Sequence, residues 1–345
     1  MTPRERVVRT LTFQPVDRPP RQLWTVPGIH IEQPDAYAAF LKKYPSDMVG
    51  PDCGYAPSKR AHGSMVDSSY TDAWGCEFQV LERGIVGEVK EPLFEQGYDD
   101  VDTYEPPYEI LEGVDLNAIA LDCAQTDHFV LTGTETRPFE RLQFLRGTEN
   151  VFIDLAMEEE GMFVLLDKLH AFFVQEMRLW ASSAVDGVSF MDDWGTQISL
   201  LISPAMWRRI FKPLYKEYVD ILHAAGKFAF FHSDGFIADI FPDLVEIGID
   251  AINSQLFCMD IEKLGAEYAG KIAFWGELDR QGVLHFGTGD EVRRDVNRYV
   301  RALCPNGQQT GIFAQCSWSL GDPMDIFFDA FDEWDQCFTR GSDVE

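Results

Sequence analysis

The chain has 345 residues, of which 46% are hydrophobic, and this is enough to form the core of one large domain. Its formal net charge of −28 repels nucleic-acid phosphates, and no basic cluster offsets that charge, so a nucleic-acid partner is disfavoured. No apolar run is long enough to cross a membrane. The seven cysteines are scattered without a Cys-x-x-Cys pair, which favours reduced thiols and a cytoplasmic location.

The amino-terminal segment predicts one helix followed by two short strands. Thr2-Pro3-Arg4-Glu5 has the form of a capping box with proline at the first helical position, so we expect a helix over residues 3–12. Extended apolar runs follow at 22–26 and 47–49.

Residues 70–90 have the pattern of a β-hairpin. Two alternating runs, at 74–81 and 85–89, flank the turn-forming triplet Glu82-Arg83-Gly84. We interpret this hairpin as an insertion into the main fold, of the kind that often covers the mouth of an active site.

From residue 128 onward, short apolar runs alternate with helical patterns. These runs occupy 129–134, 187–191, 227–231, 250–255, 272–276 and 311–315. Together with the two amino-terminal runs they give eight strands, each followed by a helix, which is the order of an α/β fold of the (β/α)8 TIM-barrel type. No repeat or linker divides the chain, so we predict a single domain spanning 1–345. The active site of such a barrel lies at the carboxyl ends of its strands.

Two pairs of polar residues stand where predicted strands end. Asp192 and Asp193 follow one strand, and neighbouring side chains leave a strand on opposite sides. One of these acids is therefore expected to face the cavity as a hydrogen-bond acceptor or general base, and the other to cap the following turn. His232 and Asp234 are two residues apart, so both side chains can point at one ligand. We predict all four as catalytic residues.

Aromatic, amide and carboxylate side chains near other strand ends are predicted to contact a substrate. They are Trp194, Asn253, Gln255, Trp275 and Glu277. Tryptophans suit a flat ligand such as a pterin or the edge of a corrinoid ring, and amides suit the polar edge of a ring. The alternatives are core packing for the tryptophans and turn formation for the amides.

A metal site is predicted from four residues at strand ends: His232, Asp234, Glu277 and Cys316. Their imidazole, carboxylate and thiolate groups are donors that Zn²⁺ accepts in a tetrahedral site. Bound zinc also keeps a substrate thiol deprotonated at neutral pH. The alternative is structural, in which His232 hydrogen-bonds Asp234, Glu277 pairs with Arg280, and Cys316 fills space in the core.

Several motifs, in this order along the chain, resemble the uroporphyrinogen decarboxylase superfamily. They are Arg4-Glu5-Arg6-Val7, Val16-Asp17-Arg18-Pro19-Pro20, Asp192-Asp193, His223-Ala224-Ala225-Gly226, His232-Ser233-Asp234-Gly235 and Trp275-Gly276-Glu277-Leu278-Asp279. The resemblance covers nearly the whole chain and implies a (β/α)8 barrel, in agreement with the strand count.

Within that superfamily, the chain resembles the corrinoid-dependent methyltransferases more than the decarboxylases. The decarboxylases hold the carboxylates of their substrate with an Arg-Gln-Ala-Gly-Arg segment, whereas Arg21-Gln22-Leu23-Trp24-Thr25 lacks the second arginine. The methyltransferases move a methyl group from methylcobalamin on a corrinoid protein to a small-molecule acceptor. The resemblance therefore implies methylcobalamin as cofactor and a corrinoid protein as partner, for example in O-demethylation.

The acceptor depends on the residue at position 234. Relatives that act on thiols bind zinc through a His-x-Cys pair and a later cysteine, positions that fall on His232, Asp234 and Cys316. Because Asp234 replaces a cysteine, the resemblance favours tetrahydrofolate, which needs no zinc, over a thiol. Two other functions stay open: a decarboxylase of a tetrapyrrole or related acid, with Asp192 stabilising a cationic intermediate, and a non-catalytic barrel that binds a corrinoid or pterin.

Overall fold

A computed structural model describes residues 1–52, 54–304 and 310–340. Its strands are β1 (Arg21–Thr25), β2 (Met48–Val49), β3 (His62–Gly63), β4 (Ser69–Thr71), β5 (Glu77–Gln79), β6 (Glu88–Val89), β7 (Phe129–Gly133), β8 (Gly187–Met191), β9 (Phe228–Ser233), β10 (Ala251–Ser254), β11 (Ala273–Phe274) and β12 (Ala314–Trp318).

The helices precede, connect and follow these strands. They are α1 (Pro3–Leu11), α2 (Pro27–Glu32), α3 (Pro34–Lys43), α4 (Glu109–Glu112), α5 (Leu116–Gln125), α6 (Pro138–Arg146), α7 (Thr148–Met157), α8 (Glu160–Ala181), α9 (Pro204–Ile210), α10 (Lys212–Ala224), α11 (Phe241–Ile247), α12 (Ile261–Tyr268), α13 (Val283–Phe286), α14 (Gly289–Leu303) and α15 (Met324–Arg340). None of the described helices has the length and apolar character needed to cross a lipid bilayer.

Eight parallel strands follow one another around a barrel. Strands β2, β7, β8, β9, β10 and β11 form one sheet in that order, and β12 pairs with β1. A bridge between Phe274 and Ile312 joins β11 to the segment before β12. The N–H of Asp47 donates to the carbonyl of Arg21 at 2.9 Å and joins β1 to β2. Each predicted run overlaps one of these strands, so the predicted barrel is confirmed.

Side chains of the barrel strands alternate between two apolar layers. Phe230 and Phe313 belong to a small cluster inside the barrel, which Val7 of α1 also joins. Phe231 belongs to a larger cluster between the strands and the surrounding helices. This alternation decides which residues at the strand ends can reach the interior.

The segment between β2 and β7 carries a four-stranded antiparallel sheet, β3-β4-β5-β6. Phe78 of β5 pairs with Val89 of β6, so the predicted hairpin is present, with shorter strands and two additional ones beside it. The N–H of Gly28 donates to the carbonyl of Gly84 at 3.0 Å. Gly84 has a φ of +82°, and a Cβ there would lie 2.6 Å from the Cα of Gly28. Because Gly28 follows the carboxyl end of β1, the insertion contacts the mouth of the barrel.

A buried arginine fixes the insertion to the barrel. Arg141 of α6 is 4% exposed and pairs with Asp72, between β4 and β5, and with Glu135, after β7, at 3.2 Å. Its guanidinium carbon lies 4.6 Å from the centre of the Trp74 ring. Asp72 also accepts the N–H groups of Trp74 and Cys76, at 3.0 and 2.9 Å. The insertion therefore forms a fixed wall beside the mouth.

A buried carboxylate connects the segments that follow β2 and β7. Glu176 of α8 accepts hydrogen bonds from the hydroxyls of Tyr55 and Thr136, the second at 2.6 Å, and from the N–H of Glu135 at 2.8 Å. Burial raises the pKa of Glu176 from 4.5 to about 7.

We expect Glu176→Gln to remove part of the pH dependence of stability. The native protein holds this proton more tightly than the unfolded chain, so the stabilisation is complete below the unfolded pKa and is lost as the pH rises through about 7. The stabilisation that is lost in this way reaches about 3 kcal/mol. Urea unfolding of both proteins between pH 5 and 8 would show the free energy of unfolding of the wild type falling relative to that of the variant. A difference in free energy of unfolding between the two proteins that stays the same at every pH would contradict the raised pKa. Glu267→Gln on the surface of α12 is the control.

Candidate functional site

Two aspartates and a histidine meet at the carboxyl ends of β8 and β9. One ligand atom from each of Asp193, His232 and Asp234 lies within 4.8 Å of the other two, and we call these residues the acid–histidine cluster. The Nε2 atom of His232 is 3.6 Å from Oδ1 of Asp193 and 3.5 Å from Oδ1 of Asp234. The N–H of Asp234 donates to Asp193 Oδ1 at 2.9 Å. Three of the four predicted catalytic residues are thus brought together.

Asn253 of β10 orients the histidine ring. Its amide nitrogen donates to the carbonyl of Trp275 at 2.7 Å and to Oε1 of Gln315 at 3.2 Å, which leaves Oδ1 facing His232. His232 Nδ1 lies 2.7 Å from that oxygen and therefore carries a proton. The other ring nitrogen, Nε2, is directed at the two carboxylates and can accept or release a proton there.

Two tryptophans line the barrel interior beside the histidine. The ring of Trp24, in β1, lies 5.3 Å from the ring of His232 and 5.0 Å from that of Trp275. The indole N–H of Trp275 donates to Gln22 at 2.7 Å. Trp275 is 1% exposed and belongs to the inner apolar cluster, so its predicted contact with a substrate is not met and the alternative of core packing applies. Trp24 was not predicted, although its place near the end of the predicted strand 22–26 was a usable signal.

Asp192 and Trp194 do not face the mouth, contrary to their predicted roles in catalysis and substrate binding. Asp192 is fully buried and accepts the N–H groups of Phe139 and Glu140 at 2.8 and 2.7 Å, and the hydroxyl of Tyr215 at 2.5 Å. It caps the first turn of α6, whereas one acid of the pair was expected to cap the turn that follows its own strand. Burial and the neighbouring Glu140 raise its pKa to about 8. Trp194 is also fully buried, and its ring stacks on Phe139 at 4.3 Å.

The predicted four-ligand zinc site does not form, because Cys316 points to the wrong side of its strand. Phe313 lies inside the barrel, and Gln315 reaches Asn253 there, whereas Cys316 belongs to the outer apolar layer. Its side chain is fully buried, and burial raises the pKa of its thiol well above the usual range. A thiolate at this position is therefore disfavoured.

A guanidinium occupies the space between Asp234 and Glu277, two of the remaining predicted zinc ligands. Arg280 pairs with Asp234, and its Nε lies 2.8 Å from Oε1 of Glu277. The second carboxylate oxygen of Glu277 accepts the hydroxyl of Ser317 at 2.8 Å. This is the pairing of Glu277 with Arg280 that the structural alternative predicted. Without a thiolate, the acid–histidine cluster is a hard donor set, so these residues do not fit the thiolate-rich zinc site that the resemblance implied.

Carboxyl groups around the cluster hold their protons unusually tightly. Glu277 is 2% exposed, and burial, reinforced by the charge of Asp234, raises its pKa to about 7. Burial also raises the pKa of Glu140, at the start of α6, and Asp193 adds to that shift. Glu277 can therefore exchange a proton near neutral pH, which is typical of catalytic sites. Sequence reasoning missed Glu140, since no pattern in the sequence indicated that this helix begins at the mouth.

A cavity of about 470 Å³ adjoins the cluster at the carboxyl ends of β10 and β11. Gln255, Glu277 and Arg280 are in its lining. Two of the predicted substrate contacts, Gln255 and Glu277, thus face open space, while Asn253 is buried and serves the histidine.

Comparison with known proteins agrees with this architecture. The family model of uroporphyrinogen decarboxylase (URO-D) matches residues 69–314. A solved methyltransferase from Methanosarcina mazei superposes with a TM-score of 0.71 and 14% identity, over 97% of this chain and 99% of that one. A glycosylated endo-beta-1,4-xylanase of family GH10 from Gloeophyllum trabeum gives a TM-score of 0.38 and 10% identity, over 63% of this chain and 79% of that one. No curated protein matches the chain significantly.

The likeness to the Methanosarcina mazei structure concerns the fold, since the two sequences share only 14% of their residues. The family match is independent of it, extends over more than half of the chain and includes the whole acid–histidine cluster. The superfamily resemblance seen in the motifs is thereby confirmed, and the chain belongs to the uroporphyrinogen decarboxylase (URO-D) family.

Proposed function

We propose that this chain is a methyltransferase that moves a methyl group from methylcobalamin, carried by a separate corrinoid protein, to tetrahydrofolate. The observation that carries the proposal is the composition of the barrel mouth. Asp193, His232 and Asp234 can handle a proton, and Trp24 lies beside them as an aromatic wall. The structural neighbour from Methanosarcina mazei is named as a methyltransferase, which supports the same reaction class.

The charges at the mouth argue against a porphyrinogen substrate. Such a molecule carries several carboxylates and needs several cationic partners. Arg280 is already paired with two carboxylates, and Arg137 lies 3.3 Å from Glu140. Arg21 begins β1 at the opposite end of the barrel, where it pairs with Asp335 at 2.6 Å. The net charge of −28 adds to the repulsion of a polyanion.

In the proposed reaction, the bound methyl donor supplies an electrophilic methyl carbon. The bond to the acceptor nitrogen forms as the bond to the donor breaks, and the donor keeps that electron pair. The acceptor nitrogen then loses its proton to Nε2 of His232, which Asn253 holds in position. Asp193 and Asp234 stabilise the resulting imidazolium, since both lie within 4 Å of Nε2. Alignment of the two reactants contributes much of the rate, about 7–11 kcal/mol in favourable cases.

The same residues favour tetrahydrofolate over a thiol as the acceptor. A thiol acceptor is a poor nucleophile until it is deprotonated, and the residues that the structure describes form no thiolate-rich zinc site for that purpose. A ring nitrogen reacts through its neutral lone pair and needs only a base to take its proton afterwards. The acid–histidine cluster can supply that base.

The direct test is the anoxic loss of methylcobalamin absorbance with purified protein, with tetrahydrofolate, coenzyme M or homocysteine offered separately. We expect turnover with tetrahydrofolate alone. Turnover only with a thiol would reassign the acceptor, and formation of coproporphyrinogen from uroporphyrinogen would establish the decarboxylase instead. Tight binding of methylcobalamin without turnover would indicate that the chain is a non-catalytic corrinoid-binding protein.

Apolar side chains exposed on the loops around the mouth support docking of a corrinoid protein there. Ile198, after β8, is 85% exposed, Phe286, after β11, is 79% exposed, and Leu81 of the insertion is 80% exposed. Ile198 and Phe286 both belong to segments that leave the carboxyl ends of barrel strands, so a protein docked over the mouth would cover them.

We expect Ile198→Asp and Phe286→Asp each to raise the KM for the corrinoid protein about tenfold, the effect of losing roughly 1.4 kcal/mol of contact energy. The KM for free methylcobalamin should not change, because these side chains lie outside the chemistry. Leu121→Asp on α5, at a residue 65% exposed, is the control. Equal effects on free and protein-bound methylcobalamin would place the loss inside the site rather than at a docking surface.

A further inference from the structure

The 470 Å³ cavity beside the acid–histidine cluster has the size of a small-molecule site. It shares Arg280 with the cluster, because Arg280 lines the cavity and also pairs with Asp234. A ligand held in this cavity would therefore lie next to the proposed chemistry.

One wall of the cavity is a preorganised pair of side-chain amides. The amide nitrogen of Gln197, in the loop after β8, donates to Oε1 of Gln255, at the end of β10, at 3.0 Å. The thiol of Cys258 contacts both amide oxygens, at 3.1 Å for Gln197 and 3.3 Å for Gln255. These contacts hold donors and acceptors in fixed directions at the cavity surface. Phe257 adds an aromatic ring to the lining.

A second wall carries a buried carboxylate oxygen that lacks a hydrogen bond. Glu277 is 2% exposed and lines the cavity. Its Oε1 is 2.8 Å from Nε of Arg280, but the two groups are out of line, and this oxygen accepts no hydrogen bond among the described residues. Arg280 offsets the charge of this carboxylate, while the hydrogen-bonding capacity of Oε1 is left for an N–H of a ligand.

We propose that this cavity binds the amino-pyrimidinone edge of the methyl acceptor, with Glu277 receiving the ring N–H and amino group, and the Gln197–Gln255 pair facing the adjacent carbonyl. A carboxylate binds two parallel N–H groups, which is the pattern that a 2-amino-4-oxo ring presents. A simple thiol has no such edge. The assignment of the ring to tetrahydrofolate rests on the proposed function, whereas recognition of the amino-pyrimidinone edge does not.

The test uses two unreactive ligands that differ at one position, 6-methylpterin and 6-methyllumazine, in which an oxo group replaces the 2-amino group. Titration calorimetry on the full chain should show 6-methylpterin binding at least about tenfold more tightly. Glu277→Gln should remove most of that preference. Gln197→Leu should lower the affinity for both ligands several-fold. Because Gln197 is exposed, this variant should fold normally. Glu267→Gln on α12 should match the wild type.

Equal binding of the two ligands by the wild type, or no binding of either, would overturn the proposal. So would a full preference for 6-methylpterin in the Glu277→Gln variant. The methyl-transfer assay separates this inference from the proposed function. Turnover with tetrahydrofolate at an unchanged KM in both variants would support the proposed function and reject the cavity as the binding site of the acceptor. The expected ligand preference without turnover would support the binding site and reject the proposed function.

Discussion

Replacing His232 with alanine is expected to lower kcat for methyl transfer to tetrahydrofolate by about 10²–10³-fold. The substitution removes the ring nitrogen that takes the proton of the acceptor in the proposed reaction. It also leaves Asp193 and Asp234 without the positive charge that the proposed reaction places between them. The KM for tetrahydrofolate should change little if the acceptor is held in the neighbouring cavity as we propose. Anoxic steady-state kinetics with methylcobalamin measures both constants.

His128→Gln is the matched control for this experiment. His128 precedes β7 at the amino-terminal end of the barrel, opposite the mouth, and is partly exposed. Its replacement should leave both kinetic constants within about twofold of wild type. A His232→Ala enzyme with unchanged kcat would remove His232 from the proton-transfer step, and a raised KM alone would make it a binding residue.

The position of the cluster was predictable because apolar runs reveal where buried strands end. His232 and Asp234 close one such run and Asp193 follows another, and the carboxyl ends of parallel strands meet at one mouth. The orientation of Cys316 was not predictable in the same way. Both faces of a barrel strand are buried, so Ile312 and Phe313 are equally apolar although they belong to opposite layers. Without an alternating pattern, the sequence does not show which side of β12 a residue faces.

The partners of the cluster depend on contacts between distant loops. Gln197 and Cys258 meet at the cavity from the loops after β8 and β10, 61 positions apart in sequence. Neither loop has a pattern that specifies its course. The pairing of Arg280 with Glu277 was only the alternative to a metal site in the sequence, and the second contact of Arg280, with Asp234, required the fold.

The largest effect on stability is expected at Arg141. We expect Arg141→Leu to lower the free energy of unfolding by about 3–5 kcal/mol, the usual cost of removing one partner from a buried ion pair. The variant keeps Asp72 and Glu135 but removes the cation that neutralises both. It also loses the contact with the Trp74 ring. Urea unfolding at pH 7 measures the change, and limited proteolysis of the insertion reports whether its attachment is lost first.

Arg209→Leu removes a matched ion pair from the surface. Arg209 lies 2.6 Å from Glu158, and the side chains are 52% and 56% exposed, so solvent screens the attraction. The expected loss is below about 1 kcal/mol. If the two arginine variants were equally stable, the Arg141 pairs would contribute no more than a surface pair, and the insertion would have to be held by its apolar contacts.

The pairing of β1 with β12 has a consequence for how the protein is made. Arg21 lies opposite Ala314 in this pair, so the first strand of the barrel gains this one of its two neighbours only after the long intervening part of the chain has been synthesised. Until then β1 has an unpaired edge, which is prone to join strands of other chains. Slow synthesis or a premature stop before residue 318 would prolong that exposure. Fragments of this kind should therefore depend strongly on chaperones and accumulate as aggregates in cells.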